Sequence, residues 1–138
     1  MVDQTKSGDY ATLRLAEFLN APINARFVVL EDGMNDAGHD FDYEQPLRSM
    51  VQRVKSLGKT AIVTGLSRVA KGVPSRDAYD AIARRVAKEE GMPFADWGSV
   101  MYSADDMADD VHPGQAYSTR LTERLASTLD TLAPECAK

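Results

Sequence analysis

Cysteine is nearly missing from this sequence: the single Cys136 stands third from the end. An intramolecular disulfide is therefore excluded, nothing requires an oxidising compartment, and Cys136 reads as an inert tail residue. Long hydrophobic runs are missing too. The longest span four or five residues, far below the ~20 that a membrane-crossing helix needs. The opening residues Met1 to Lys6 hold no apolar signal core, so a cytoplasmic location is the default, unless the chain belongs to a longer precursor. Basic residues are scattered and the net charge is -5. No Lys/Arg block can track phosphates, which argues against nucleic-acid binding. Histidine occurs only at His39 and His112. Neither lies in a ligand spacing such as H-E-x-x-H, and the acidic stretch from Asp105 to Asp110 lacks the EF-hand pattern. No metal and no cofactor is implied.

What remains is an ordinary globular composition, 43% hydrophobic and 27% charged over 138 residues, which suits one domain over residues 1–138. Periodicity predicts helices over 9–20, 43–57, 76–91 and 114–132. Ala11, Leu15, Phe18 and Leu19 mark the inner face of the first, with Ser7 or Asp9 as its cap. Leu121, Leu125, Leu129 and Leu132 stripe the last. The runs at 26–31, 59–65 and 93–97 read as strands, the first two apolar enough to be buried in a parallel sheet. Helices alternating with strands over short connections imply βαβ units. Ligands in such sheets sit beyond the carboxyl ends of the strands. The loops to search are therefore 33–40, 66–75 and 103–114.

Three segments carry chemistry: Ser7-Gly8-Asp9 at the first helix, Gly33-Met34-Asn35-Asp36 after the first strand, and Asp109-Asp110-Val111-His112-Pro113 before the last helix. Imidazole is the side chain suited to proton transfer near neutral pH, and a carboxylate can hold its tautomer. An Asn side chain and an unobstructed Gly N–H are donors suited to an oxyanion. Pro113 restrains the backbone of His112. In this order the segments resemble three of the four blocks of the SGNH hydrolases, also called the GDSL esterase/lipase family, across about residues 6–132. The resemblance implies a three-layer α/β/α flavodoxin-like fold with a parallel sheet. It implies a carboxylic-ester hydrolase with Asp109 and His112 catalytic and Gly8 and Asn35 in the oxyanion hole.

The family's first block, a Gly-Asp-Ser-Leu motif after the first strand, has no counterpart here. The resemblance implies that the first strand is missing from this chain, which leaves an open edge on the strand at 26–31. Another copy, a separate polypeptide or an upstream segment would fill it, or residues 1–6 would pack irregularly into the gap. Ser7 is the candidate substitute nucleophile. The alternative is a catalytically inactive SGNH-like binding or interaction module. His39, Asp105 and Asp106 read as solvated loop residues, Asp36 as a loop stabiliser, and Phe94, Trp97, Met34 and Met101 as core or pocket wall.

Overall fold

A computed structural model describes residues 2–137. Its elements are α1 (Ala11–Asn20), β1 (Phe27–Leu30), α2 (Met34–His39), α3 (Glu44–Ser56), β2 (Thr60–Thr64), α4 (Arg76–Glu90), β3 (Phe94–Ala95) and α5 (Gln115–Leu132). Short 3-10 turns follow β3 and precede α5.

The strands form one parallel sheet in the order β1-β2-β3, with Val29 opposite Ile62 and Val63 opposite Phe94. Alternation along each strand sends side chains to two faces. Leu30, Ala61 and Val63 point into a large core with Ala11 of α1, Leu47 and Val51 of α3, and Val86 of α4. Ile62 and Ala95 point the other way, into a smaller core with Trp97, Tyr117 and Leu121. Helices α1, α3 and α4 therefore cover one face and α5 the other, giving three layers.

The second layer is thin. Of the α5 stripe only Leu121 is fully buried, together with Tyr117. Leu125, Leu129 and Leu132 pack only partly. The cause lies in the width of the sheet. Among the described residues β1 pairs with β2 alone, and Val29, on the α5 face, is 38% exposed. A β-branched residue in the middle of a buried strand is left half-open because its outer neighbour is absent. Residues 2–6 run irregularly along this side without forming strand pairs.

Four expectations need correction. The segment 34–39 is a short helix rather than a loop. It forms because Gly33 takes a left-handed φ of 113°, a conformation open to glycine, and because a Cβ there would come within 2.8 Å of the Tyr43 ring. The first helix is not capped by Ser7 or Asp9. Tyr10 precedes it without a side-chain cap, and the Ala11 N–H donates 3.0 Å to Oδ1 of buried Asp36. Leu19 faces outward at 37% exposure, while Leu15 and Phe18 pack against the core. The third strand is only two residues long, because the chain turns at Trp97 into a 3-10 turn.

Candidate functional site

The loop after β3 is closed by backbone bonds on both sides. The Ala108 N–H donates to the His112 carbonyl at 2.9 Å and the Gly114 N–H to the Asp106 carbonyl at 2.8 Å, with a bridge between Met107 and Pro113. Within this clasp Asp109 folds back on its own chain. Its Oδ1 accepts from the N–H groups of Val111 (2.8 Å) and His112 (2.7 Å). Its Oδ2 lies 2.8 Å from Nδ1 of His112. The two backbone donors, first that of His112, and then the imidazole hold the Asp109 carboxyl at about 2. An ionised carboxylate only accepts, so Nδ1 carries the imidazole proton and the lone pair of Nε2 is free. The His112 ring is 78% exposed, and among the described residues no hydroxyl bonds to its Nε2.

Asp106 is tied down rather than solvated. Its Oδ2 accepts from the Ser103 N–H at 3.0 Å and from the Arg120 guanidinium at 2.6 Å, which fastens the loop to α5. Asp105 stays exposed. A second anchor joins the loop after β2: the Ala70 N–H donates 2.8 Å to the Asp110 carbonyl. That loop is itself held from below, where buried Arg76 donates to the carbonyls of Leu66 and Ser67 and Asp80 accepts from the Leu66 N–H at 2.8 Å.

At the carboxyl end of β1, the start of α2 presents Asn35. Its amide donates 2.7 Å to the Asp9 carbonyl, one residue beyond Gly8, which uses one of its two N–H groups and leaves the other. Asn35 and Asp36 thus staple the start of α1 to the end of β1. Gly8 sits in an exposed turn with φ of 76°, and its N–H donates to no described atom. A Cβ at Gly8 would meet nothing within 4 Å, so the glycine serves backbone conformation rather than clearance. Ser7 is exposed in the same turn. His39, exposed at the end of α2, donates its Nδ1–H to the Asn35 carbonyl of its own helix (2.8 Å) and stacks on Phe41.

A groove of about 1290 Å³ runs from the open edge of β1 to these loops. Asn35, His112 and Asp9 line it; Ser7 and Gly8 do not, and neither does Asp109, which backs His112 from outside. Val28, Val29, Phe18 and Leu125 form part of its apolar wall, with Trp97 at its base. One lining residue went unread in the sequence. Asp32, between β1 and Gly33, projects a half-buried carboxyl into the groove. Burial, and then the neighbouring Asp36 carboxylate, push it up to about 6. The signal was a charge placed directly after a buried strand. Tyr43 fixes its backbone, donating 3.0 Å to the Asp32 carbonyl. Among the described residues no three His, Cys, Asp or Glu side chains cluster as a metal site, and no helix is long and apolar enough to cross a membrane.

A carboxylate-backed imidazole on a loop and a carboxamide donor at the start of a short helix, both at the carboxyl edge of a parallel sheet, put this chain in a class: α/β proteins whose groove gathers parts suited to acyl transfer. Comparison narrows the class. Residues 2–120 match the model of the GDSL-like lipase/acylhydrolase family, and the chain belongs to that family. Solved structures share the fold. TesA superposes with a TM-score of 0.74 at 28% identity, over 91% of this chain and 75% of its own. A GDSL-like lipase from Bacteroides thetaiotaomicron gives 0.73 at 19% identity, over 91% and 73%. Est24, a carbohydrate acetylesterase from Sinorhizobium meliloti, gives 0.72 at 14%, over 96% and 73%. A search of curated proteins finds no match.

Proposed function

We propose that this chain hydrolyses carboxylic esters, with His112 as the proton-transfer residue and a hydroxyl nucleophile delivered on a strand that pairs with the open edge of β1. The observation that carries the reading is the 2.8 Å contact between Asp109 Oδ2 and His112 Nδ1, which leaves Nε2 as a base at the rim of the groove that Asn35 also lines.

The chemistry follows from those positions. Nε2 takes the proton of the nucleophilic hydroxyl as its oxygen adds to the ester carbonyl. The oxyanion is met by the free N–H of the Asn35 amide, a neutral donor worth on the order of 3 kcal/mol in the transition state. The imidazolium then protonates the departing alcohol. Water, deprotonated by the same Nε2, releases the acyl group as a carboxylic acid. Asp109 stays ionised throughout and holds the tautomer. The open edge supports the placement of the nucleophile: β1 lacks an outer neighbour, Val29 is half-exposed, and the groove there ends beside His112. The strand comes from another copy, a separate polypeptide or an upstream segment. The substrate is a small ester and no nucleic acid takes part.

The test is a fluorophosphonate probe on the protein isolated with whatever fills the edge of β1, followed by mapping of the adduct. The expected adduct is on a serine of the added strand and disappears in His112→Ala. An adduct on Ser7 would move the nucleophile into this chain's own turn. No adduct, together with no His112-dependent turnover of p-nitrophenyl acetate, would overturn the hydrolase in favour of a binding or interaction module.

A further inference from the structure

The groove is short of positive charge where β1 ends. Two cations border it, and both are engaged. Lys6 holds Glu17 at 2.7 Å. Arg14 holds Asp9 at 3.1 Å and the Gln4 carbonyl at 2.8 Å. Asp36 spends one oxygen on the Ala11 N–H. Asp32 has no such partner: among the described residues its carboxyl makes no hydrogen bond and no ion pair, although it is half-buried and lines the groove two residues from Met34 and three from Asn35. Its only fixed contact is through its backbone carbonyl, held by Tyr43. Among the described residues no side chain bonds this carboxylate, Arg14 acting on it only at longer range, while the space in front of it is open.

We propose that Asp32 sets the substrate's charge class: the groove prefers esters bearing a cationic, ammonium-type group near the reacting carbonyl and rejects anionic ones. This deepens the ester-hydrolase reading and rests on it for the identity of the site. The physical reason has two parts. An opposite charge within about 4–6 Å of a partly desolvated carboxylate is attracted by a few kcal/mol, far more than in water. An ionised Asp32 also opposes the negative charge that grows at Asn35 during attack on the carbonyl, and a cation on the substrate offsets that opposition. The groups facing Asp32 are Asp36 from α2, Arg14 and Asp9 from α1 and the turn before it, its neighbour Glu31, and the Tyr43 phenol that precedes α3. Desolvation holds the Asp32 carboxyl at about 6, so the preference grows as pH rises through that value.

Binding can be read without turnover. In the His112→Ala background, which blocks turnover, Kd is measured for acetylcholine and for its neutral isostere 3,3-dimethylbutyl acetate. The readout is the fluorescence of Trp97, the single tryptophan, at the base of the groove. At pH 8 the cation should bind at least about tenfold more tightly. The preference should shrink toward unity at pH 4.5 and vanish in Asp32→Asn. Asp110→Asn, which alters an exposed carboxylate outside the groove, should retain it. Equal affinities at pH 8, a preference unchanged in Asp32→Asn, or no binding of either ester at millimolar concentration would each overturn the proposal. Cation-selective binding without turnover in the wild-type assembly would instead sink the hydrolase reading and leave this one standing. Turnover without charge preference would do the reverse.

Discussion

The side chain that decides the chemistry here is Asp109, because it fixes which nitrogen of His112 bears the proton. Asp109→Asn keeps an oxygen for the backbone N–H groups of Val111 and His112, but turns an NH₂ toward Nδ1. The imidazole should flip to the Nε2–H tautomer and lose its base. Nitrogen NMR of His112 reads this directly: Nδ1–H in the wild type, Nε2–H in the variant. The carboxyl is held at about 2, below its unfolded value. Its contacts therefore hold the loop at any pH above the usual carboxylate range and weaken only as pH falls through about 2. Asp32 has the opposite sign. Its folded value of about 6 lies above the unfolded one, so the fold is favoured while Asp32 is protonated and that contribution fades as pH rises through 6. Asp32→Asn should gain stability relative to wild type between pH 4 and pH 8, on the order of 2 kcal/mol by urea unfolding. The pairing of Asp109 with His112 was legible because it is local, three residues apart. Asp32 was not, since its effect depends on burial and on Asp36, which only the folded chain supplies.

At the scale of elements, the long helices and the two apolar strands could be read because their periods repeat over several turns or pleats. The short ones could not. Helix α2, with the sequence MNDAGH, has no apolar stripe and contains a glycine. It exists because Gly33 starts it and Tyr43 packs over it. The cap of α1 was equally hidden, since Asp36 reaches it from 25 positions away. Asp36→Ala removes the acceptor for a buried N–H and should cost about 1–3 kcal/mol in urea unfolding, with Asp36→Asn, which keeps an acceptor oxygen, costing less. The Arg76–Asp80 clamp makes a further demand. A Cβ at Gly65 would lie 2.7 Å from Asp80 Oδ1 and 3.0 Å from the Phe94 ring. Gly65→Ala should therefore lower stability by about 1–3 kcal/mol and loosen the loop after β2.

For the whole molecule, the absent fourth strand explains several features together: the half-exposed Val29, the thin packing under α5, and a groove that joins the sheet edge to His112. The layered α/β architecture was legible from the alternation of elements, and the open edge from the lack of a counterpart to the family's first block. Where the nucleophile resides was not legible, because among the described residues none pairs with Nε2. If a strand occupies the edge, the outward amides of Phe27–Leu30 should exchange slowly with deuterium in the assembly and rapidly in this chain alone. The central claim, ester hydrolysis through an acyl intermediate driven by His112, is tested most directly by the first turnover of p-nitrophenyl acetate in that assembly. The expected result is a burst of one p-nitrophenolate per site, lowered in rate by about two to four orders of magnitude in His112→Ala. A linear release with no burst, equal in the wild type and His112→Ala, would contradict it.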